Sequence, residues 1–332
     1  MNAELQKKTA PPVVLTIAGF DPSSGAGMTA DLKVFAAHGL YGVSAITALT
    51  VQSTQGVRRM KPVSSELLEE TLACLADDVE IAGVKIGMLA TASNVAAVSR
   101  FLAGIEVPRG RVVLDPVIRS SSGRELLDAA GLRELSGELL PRVGWITPNR
   151  EELAALIGRR VEGREEIPTA AGALQAGYPG LNIVVTGGDA NPPNDFLRIA
   201  EDGEAATSES ASGDELEGGG DNAGSGRGAS GGAGRELAGF SGPAGGAAWR
   251  DGRGLREFWL EGERVETSAT HGTGCTFSSA LLAAVVSGKR GAEAVKAAKE
   301  YVSGAMRAAY EVGKGAGPLH HLYRFQAGRR LS

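Results

Sequence analysis

The chain has 332 residues, enough to bury a full core in one large α/β domain or two smaller ones, and carries a formal charge of −5. No apolar run is long enough to cross a bilayer, no basic stripe interleaved with aromatics marks a nucleic-acid reader, and the amino end MNAELQKKTAPPVV lacks a secretory signal. A cytoplasmic protein without a nucleic-acid or membrane partner is the expectation.

In chain order, β-branched runs alternate with amphipathic stretches. VVLTIAG (13–19) precedes a helix over about 27–38, and VSAITALTV (43–51) precedes one over 64–77. VKIGML (84–89) leads to a helix over 92–103, VVLDPV (112–117) to one over 124–139, and WITP (145–148) to one over 149–157, followed by NIVVTGG (182–188). Strands that read as nearly continuous apolar runs between helices predict a mostly parallel, doubly wound sheet with helices on both faces. Cys74, in LLEETLACLADDV, reads as a small buried hydrophobe on the apolar face of its helix.

Residues 201–254 break this pattern. Seventeen of these 54 residues are glycine, and ten acidic residues face four basic ones, so the acidity of the chain is largely local. Such a segment buries too little apolar area to offset its ordering entropy and is expected to be a mobile insertion within a single domain over 12–325. Two short strands are expected in REFWLEGERVETSATHG, then a helix after HGTGC and a last helix over about 291–313; GPLHHLYRF then packs or frays as a tail.

In doubly wound sheets ligands bind at the carboxyl ends of the strands, and the polar, glycine-rich segments fall there: GFDPSSGAG, VQSTQG, GML, DPV and TPNREE. HGTGC places unpaired backbone N–H groups at the start of a helix, where the macrodipole favours an anion; Gly272 and Gly274 allow close approach and Thr273 offers a hydroxyl. A plain helix cap is the competing reading. Cys275 at such a helix end is expected to have a depressed pKa and to serve as base or nucleophile, with His271 as an orienting neighbour, although a lone buried cysteine is the commoner case. Asp31 either hydrogen-bonds a ligand or favours its helix end. Asn149 and Glu152 form either a capping box or a hydrated magnesium site, and Asp115, ending a buried strand, needs a partner or a metal for its charge.

Taken together and in order, TIAGFDPSSGAGMTADLK, ITALTVQSTQGV, VKIGML, VVLDPV, TPNREEL and THGTGCTFSSAL resemble the hydroxymethylpyrimidine/phosphomethylpyrimidine kinases of thiamine biosynthesis, in the ribokinase-like superfamily, over roughly residues 13–190 and 256–325. The resemblance implies a ribokinase-like α/β fold, phosphoryl transfer from ATP with Mg2+, a pyrimidine substrate and a homodimer. It places Gly19, Asp31, Gln52, Met88, Val117 and Cys275 around the aminopyrimidine and its hydroxymethyl arm. Asn149, Thr186 and Gly188 fall on the nucleotide and phosphates, Glu152 and Asp115 near magnesium, and Gly272, Thr273, Gly274 and Cys275 in the anion hole, with Cys275 as the base.

Three departures stand against the family pattern. Phe20 replaces a small polar residue, Thr186 replaces a frequent lysine, and 201–254 has no counterpart. A pyridoxine/pyridoxal kinase of the same branch, a non-catalytic binder that keeps the pocket, and a scaffold acting through the insertion are the alternative readings.

Overall fold

The structure, a computed structural model, describes residues 10–120, 123–188, 190–200, 240–241, 249–250 and 255–326. β1 (Val13–Phe20) leads to α1 (Gly27–Ala37), and β2 (Tyr41–Ser53) folds back as β3 (Gly56–Pro62). Then come α2 (Ser65–Asp78), β4 (Ile81–Ile86), α3 (Ala92–Gly104), β5 (Val112–Leu114), α4 (Ala129–Glu134), β6 (Trp145–Ile146), α5 (Arg150–Ile157), α6 (Ile167–Gly177) and β7 (Asn182–Val185). β8 (Asp195–Ala200), β9 (Phe240–Ser241), β10 (Trp249–Arg250), β11 (Leu255–Leu260), α7 (Thr273–Val286) and α8 (Gly291–Arg307) complete the main elements.

Among the described residues one sheet runs β10-β11-β8-β7-β6-β5-β4-β1-β2-β3, with β9 also on β11. Its centre, from β2 through β1, β4, β5 and β6 to β7, is entirely parallel, and the flanking β3, β8 and β11 are antiparallel. Side chains alternate across a strand, and the core divides accordingly. Leu15, Ile17, Val84, Ile86, Val112, Leu114, Ile146 and Ile183 pack on one face with α2, α3, α5 and α6. Val14, Val113, Trp145 and Val184 pack on the other with α1, α7 and α8. This is the expected doubly wound α/β arrangement. No helix among the described residues is long and apolar enough to cross a membrane.

Several local expectations are corrected. Cys74 is exposed: α2 buries Leu68 and Leu72, and a residue two positions beyond Leu72 points about 200° away from it around the helix. The helix expected from 124 begins only at Ala129 and ends in a π turn over Leu135–Leu139, and the last long helix stops at Arg307. REFWLEGERVETSATHG supplies one strand, β11, rather than two. The tail packs: Leu319, His320 and His321 are buried and the Tyr301 hydroxyl donates to the His321 carbonyl. The insertion lies outside the described residues apart from β9 and β10, both paired with β11.

Candidate active site

The sheet register builds the floor of the site. Thr16 of β1 is paired with Lys85 of β4, and Lys85 with Val113 of β5. Val113 faces α1 and α7, so Thr16, Lys85 and, two residues beyond Val113, Asp115 point to that side. Helices α1 and α7 bring Asp31, Ser279, Ser278 and Cys275 down onto them. Asp31 accepts from Thr16 Oγ1 at 2.6 Å, Ser279 Oγ at 2.7 Å and Lys85 Nζ at 3.0 Å, and the Lys85–Asp31 pair is fully buried. Burial alone would lower the Lys85 pKa, but the negative charge of Asp31 foremost, beside the further acidic groups Cys275 and Asp115, outweighs it and drives it upward. Asp115 is buried and accepts from Ser278 Oγ at 3.4 Å. Burial raises its carboxyl pKa; Lys85 opposes the rise, as do hydrogen bonds from Ser278 and the Cys275 thiol.

The roof of this floor is the glycine turn ahead of α7. Gly272 adopts φ 84°, a left-handed conformation that suits glycine, and a Cβ there would collide with the Gly25 carbonyl. A Cβ on Gly25 would in turn strike the His271 ring. The loop after β1 and the start of α7 therefore interlock through small residues. Asp21 fastens them, accepting at Oδ1 from the Ser23 N–H (2.8 Å) and hydroxyl (2.7 Å), and at Oδ2 from the Ala26 N–H (2.9 Å) and His271 Nε2 (2.8 Å). Burial would raise the Asp21 pKa, but the His271 hydrogen bond, with those of Ser23 and Ala26, brings it down to about 2.

His271 Nε2 also lies 3.1 Å from the Gln52 amide, and Thr50 Oγ1 lies 3.1 Å from that amide and 2.9 Å from the Phe20 carbonyl. One proton per atom decides the orientation. With Asp21 ionised, His271 donates from Nε2, so the Gln52 amide oxygen faces it; the Gln52 amide nitrogen then donates to Thr50, whose own proton goes to Phe20.

Above floor and turn lies a cavity of about 520 Å³. Gly19, Gln52, Met88, Val117, Asp115, Asn149, Glu152, Thr186, Gly272, Thr273, Gly274 and Cys275 all line it. Residues far apart in sequence thus reach one space, Gly19, Gln52, Met88 and Val117 among them. Two residues are not among its lining. Asp31 sits beneath the site, with three donors already on its carboxylate, so its expected contact with a ligand is replaced by support of Lys85. Gly188 also falls outside the lining. Thr186 contributes no charge to the cavity, and Phe20 lines it beside Gly19. Thr273 Oγ1 donates to the Thr270 carbonyl at 3.3 Å rather than pointing a free hydroxyl at the turn.

The expected depressed pKa of Cys275 is overturned. Part of Cys275 reaches the cavity, but its thiol is set deep among protein atoms, and this burial pushes it up to about 12, with Asp115 and Asp31 adding to the rise against Lys85 and the Gly27 N–H. The helix start cannot outweigh the loss of water and two nearby carboxylates.

At the nucleotide-side end, Asn149 Oδ1 accepts from the Glu152 N–H and Glu152 Oε2 from the Asn149 N–H, each at 2.9 Å. The capping box is therefore real. It also fixes a buried carboxylate at the cavity wall. No cluster of three or more His, Cys, Asp or Glu suited to a metal exists among the described residues; magnesium on phosphates needs only one or two carboxylates beside water and phosphate oxygens. The hard-oxygen donor Glu152, with Asp115 across the same cavity, fits that requirement.

Sequence reasoning passed over Lys85, Asp21 and Arg119, all at the cavity. Lys85 carried a usable signal, a lone charge inside the apolar run VKIGML.

The profile of the phosphomethylpyrimidine kinase family matches residues 21–238 and 251–320. The hydroxymethylpyrimidine/phosphomethylpyrimidine kinase of Streptomyces coelicolor is 32% identical over 311 residues, 94% of each chain. That of Haemophilus influenzae is 34% identical, covering 93% of this chain and 96% of its own. Among solved structures, the ADP complex of Bacillus subtilis pyridoxal kinase superposes with a TM-score of 0.70 at 25% identity, covering 95% of this chain and 99% of the other. A ribokinase-like sheet, a cavity lined by the motif residues and a match across nearly the whole chain agree: the chain belongs to the phosphomethylpyrimidine kinase family.

Proposed function

We propose that this protein transfers the γ-phosphoryl group of ATP to the hydroxymethyl oxygen of hydroxymethylpyrimidine and then to the phosphate of the resulting monophosphate. The observation that carries this is one cavity lined at once by Gly19, Gln52, Met88 and Val117, by the Gly272–Cys275 turn and by the Asn149–Glu152 pair. Met88 and Val117 take the ring faces. Gln52, with its amide fixed by His271 and Thr50, offers one donor and one acceptor to a ring nitrogen and its neighbouring amine. The N–H groups at the start of α7 receive negative charge on the moving phosphoryl group. Glu152 would hold hydrated magnesium, which neutralises phosphate charge. For the first transfer, the hydroxyl proton goes to the Cys275–Asp115 pair, where the Lys85 charge favours the negative form of both groups against their burial. Phosphoryl transfer depends chiefly on positioning and charge, so a weak base suffices.

Product analysis by phosphorus NMR tests the assignment. Hydroxymethylpyrimidine with MgATP should give the monophosphate and then the diphosphate; absence of both rejects it. Pyridoxal is the second reading, favoured by the likeness to the Bacillus subtilis enzyme.

The domain reading is a single kinase unit over 12–325 interrupted by 201–254. It works in the cytoplasm, where ATP is supplied, as a homodimer acting on small molecules without nucleic-acid or membrane partners. Leu49 and Val51, both exposed on the same side of β2, support pairing. Light scattering should give twice the 34.0 kDa chain mass; the mass of one chain removes the dimer.

A further inference from the structure

The two transfers make different demands on the site. In the first, a neutral hydroxyl attacks and must lose a proton. In the second, an anionic oxygen of the phosphate monoester attacks the γ-phosphorus, the bond to the bridging oxygen of ADP breaks, and a diphosphate forms; a monoester is largely dianionic near neutral pH, so no proton has to be removed. The second transfer therefore needs no base but brings a second phosphate beside the first, and that charge requires a cation.

Lys85 cannot supply it, being committed to Asp31 at 3.0 Å. His271 is held by Asp21. Arg119 is the remaining cationic side chain at the cavity wall. Its backbone is fixed by a small hairpin. Arg119 bridges Glu125, the Leu126 N–H donates to the Ile118 carbonyl at 2.8 Å, and the Ser120 N–H donates to the Arg124 carbonyl at 2.8 Å. Arg124 ties the hairpin to β3 through the Arg58 carbonyl at 2.7 Å. Arg119 thus belongs to the wall that carries Val117 and Leu126, two residues along the chain from Val117 and on a different segment from Asn149 and Thr186.

Building on the reading above, we propose that Arg119 binds the phosphate of the monophosphorylated pyrimidine and so serves the second transfer selectively. A planar, always-charged guanidinium suits a phosphate monoester bidentately. Because the side chain is exposed at the rim, its replacement leaves the packed core untouched.

The test compares wild type, Arg119→Ala and Arg119→Lys in steady-state kinetics. In Arg119→Ala the ratio of the monophosphate KM to the hydroxymethylpyrimidine KM should rise about 10- to 100-fold, with Arg119→Lys between the two. An unchanged ratio, or a rise confined to the KM for MgATP, overturns the assignment; the latter would give Arg119 to the nucleotide phosphates. Calorimetric titration of the full chain with the pyrimidine monophosphate gives a readout that needs no turnover: binding weakened by Arg119→Ala supports the proposal, and equal affinity sinks it. Wild type that phosphorylates neither pyrimidine would reject the kinase reading itself, a result distinct from any Arg119 effect.

Discussion

Cys275→Ala is expected to lower kcat on hydroxymethylpyrimidine by about 10²- to 10⁴-fold, the usual worth of a positioned acid–base group. Turnover on the monophosphate should fall far less, because that nucleophile arrives without a proton to lose. Binding of ATP should be largely spared, since the N–H groups of the turn belong to the backbone. Cys275→Ser separates two accounts of the residue. If the thiol works by donating to Asp115 and passing a proton to it, a serine hydroxyl replaces it in part, and activity returns to within about tenfold of wild type. If a free thiolate were the base, serine would be as inactive as alanine. The pH profile gives an independent check. A thiol pushed up to about 12 acting as thiolate would make kcat climb about tenfold per pH unit through pH 9 without levelling, whereas transfer to Asp115, whose carboxyl pKa burial raises, predicts a rise that levels once that carboxyl is ionised. A climb without levelling in wild type would restore Cys275 as the base.

Lys85→Met should be the most damaging change to stability. It leaves Asp31 fully buried with its hydroxyl partners but no cation, and breaking a buried ion pair from one side costs about 3–5 kcal/mol. Activity should fall as well, because Asp115 and the Cys275 thiol lose the positive charge beneath them. The double variant Lys85→Met/Asp31→Asn removes both charges while keeping an oxygen for Thr16 and Ser279, so most of the lost stability should return without the activity. Urea denaturation of wild type, both single variants and the double variant measures the coupling. A Lys85→Met midpoint close to wild type, or no recovery in the double variant, would show that the pair does not support the site.

The parts of this molecule that were legible in sequence are those where one physical rule acts locally. Continuous apolar runs such as VVLTIAG and NIVVTGG announced buried parallel strands, and the segments after them fell at the cavity as the strand–crevice rule requires. Elements without a strong pattern were passed over. β3 reads GVRRMKP, mostly partly exposed or exposed, and α6 is a short alanine- and glycine-rich helix. β8 abuts the glycine-rich segment that obscured it.

For the site, sequence found residues by motif but not their depth. Asp31 looked available because one helical turn from a glycine loop suggests solvent; the register that pairs Thr16 with Lys85 puts it under the floor instead. Cys275 was read from the helix macrodipole alone, and burial beside Asp115 and Asp31 proved the larger influence. Arg119 belongs to no motif and emerges only when charges around the cavity are matched one against another.

The most direct measurement is kcat/KM for ADP formation by the purified full chain with MgATP on hydroxymethylpyrimidine, its monophosphate and pyridoxal in parallel. The geometry of Gln52, Met88, Val117 and the turn at Gly272–Cys275 predicts turnover on both pyrimidine species, each above pyridoxal. Activity on pyridoxal alone would contradict it and would mean that the fixed amide of Gln52 reads a different ring.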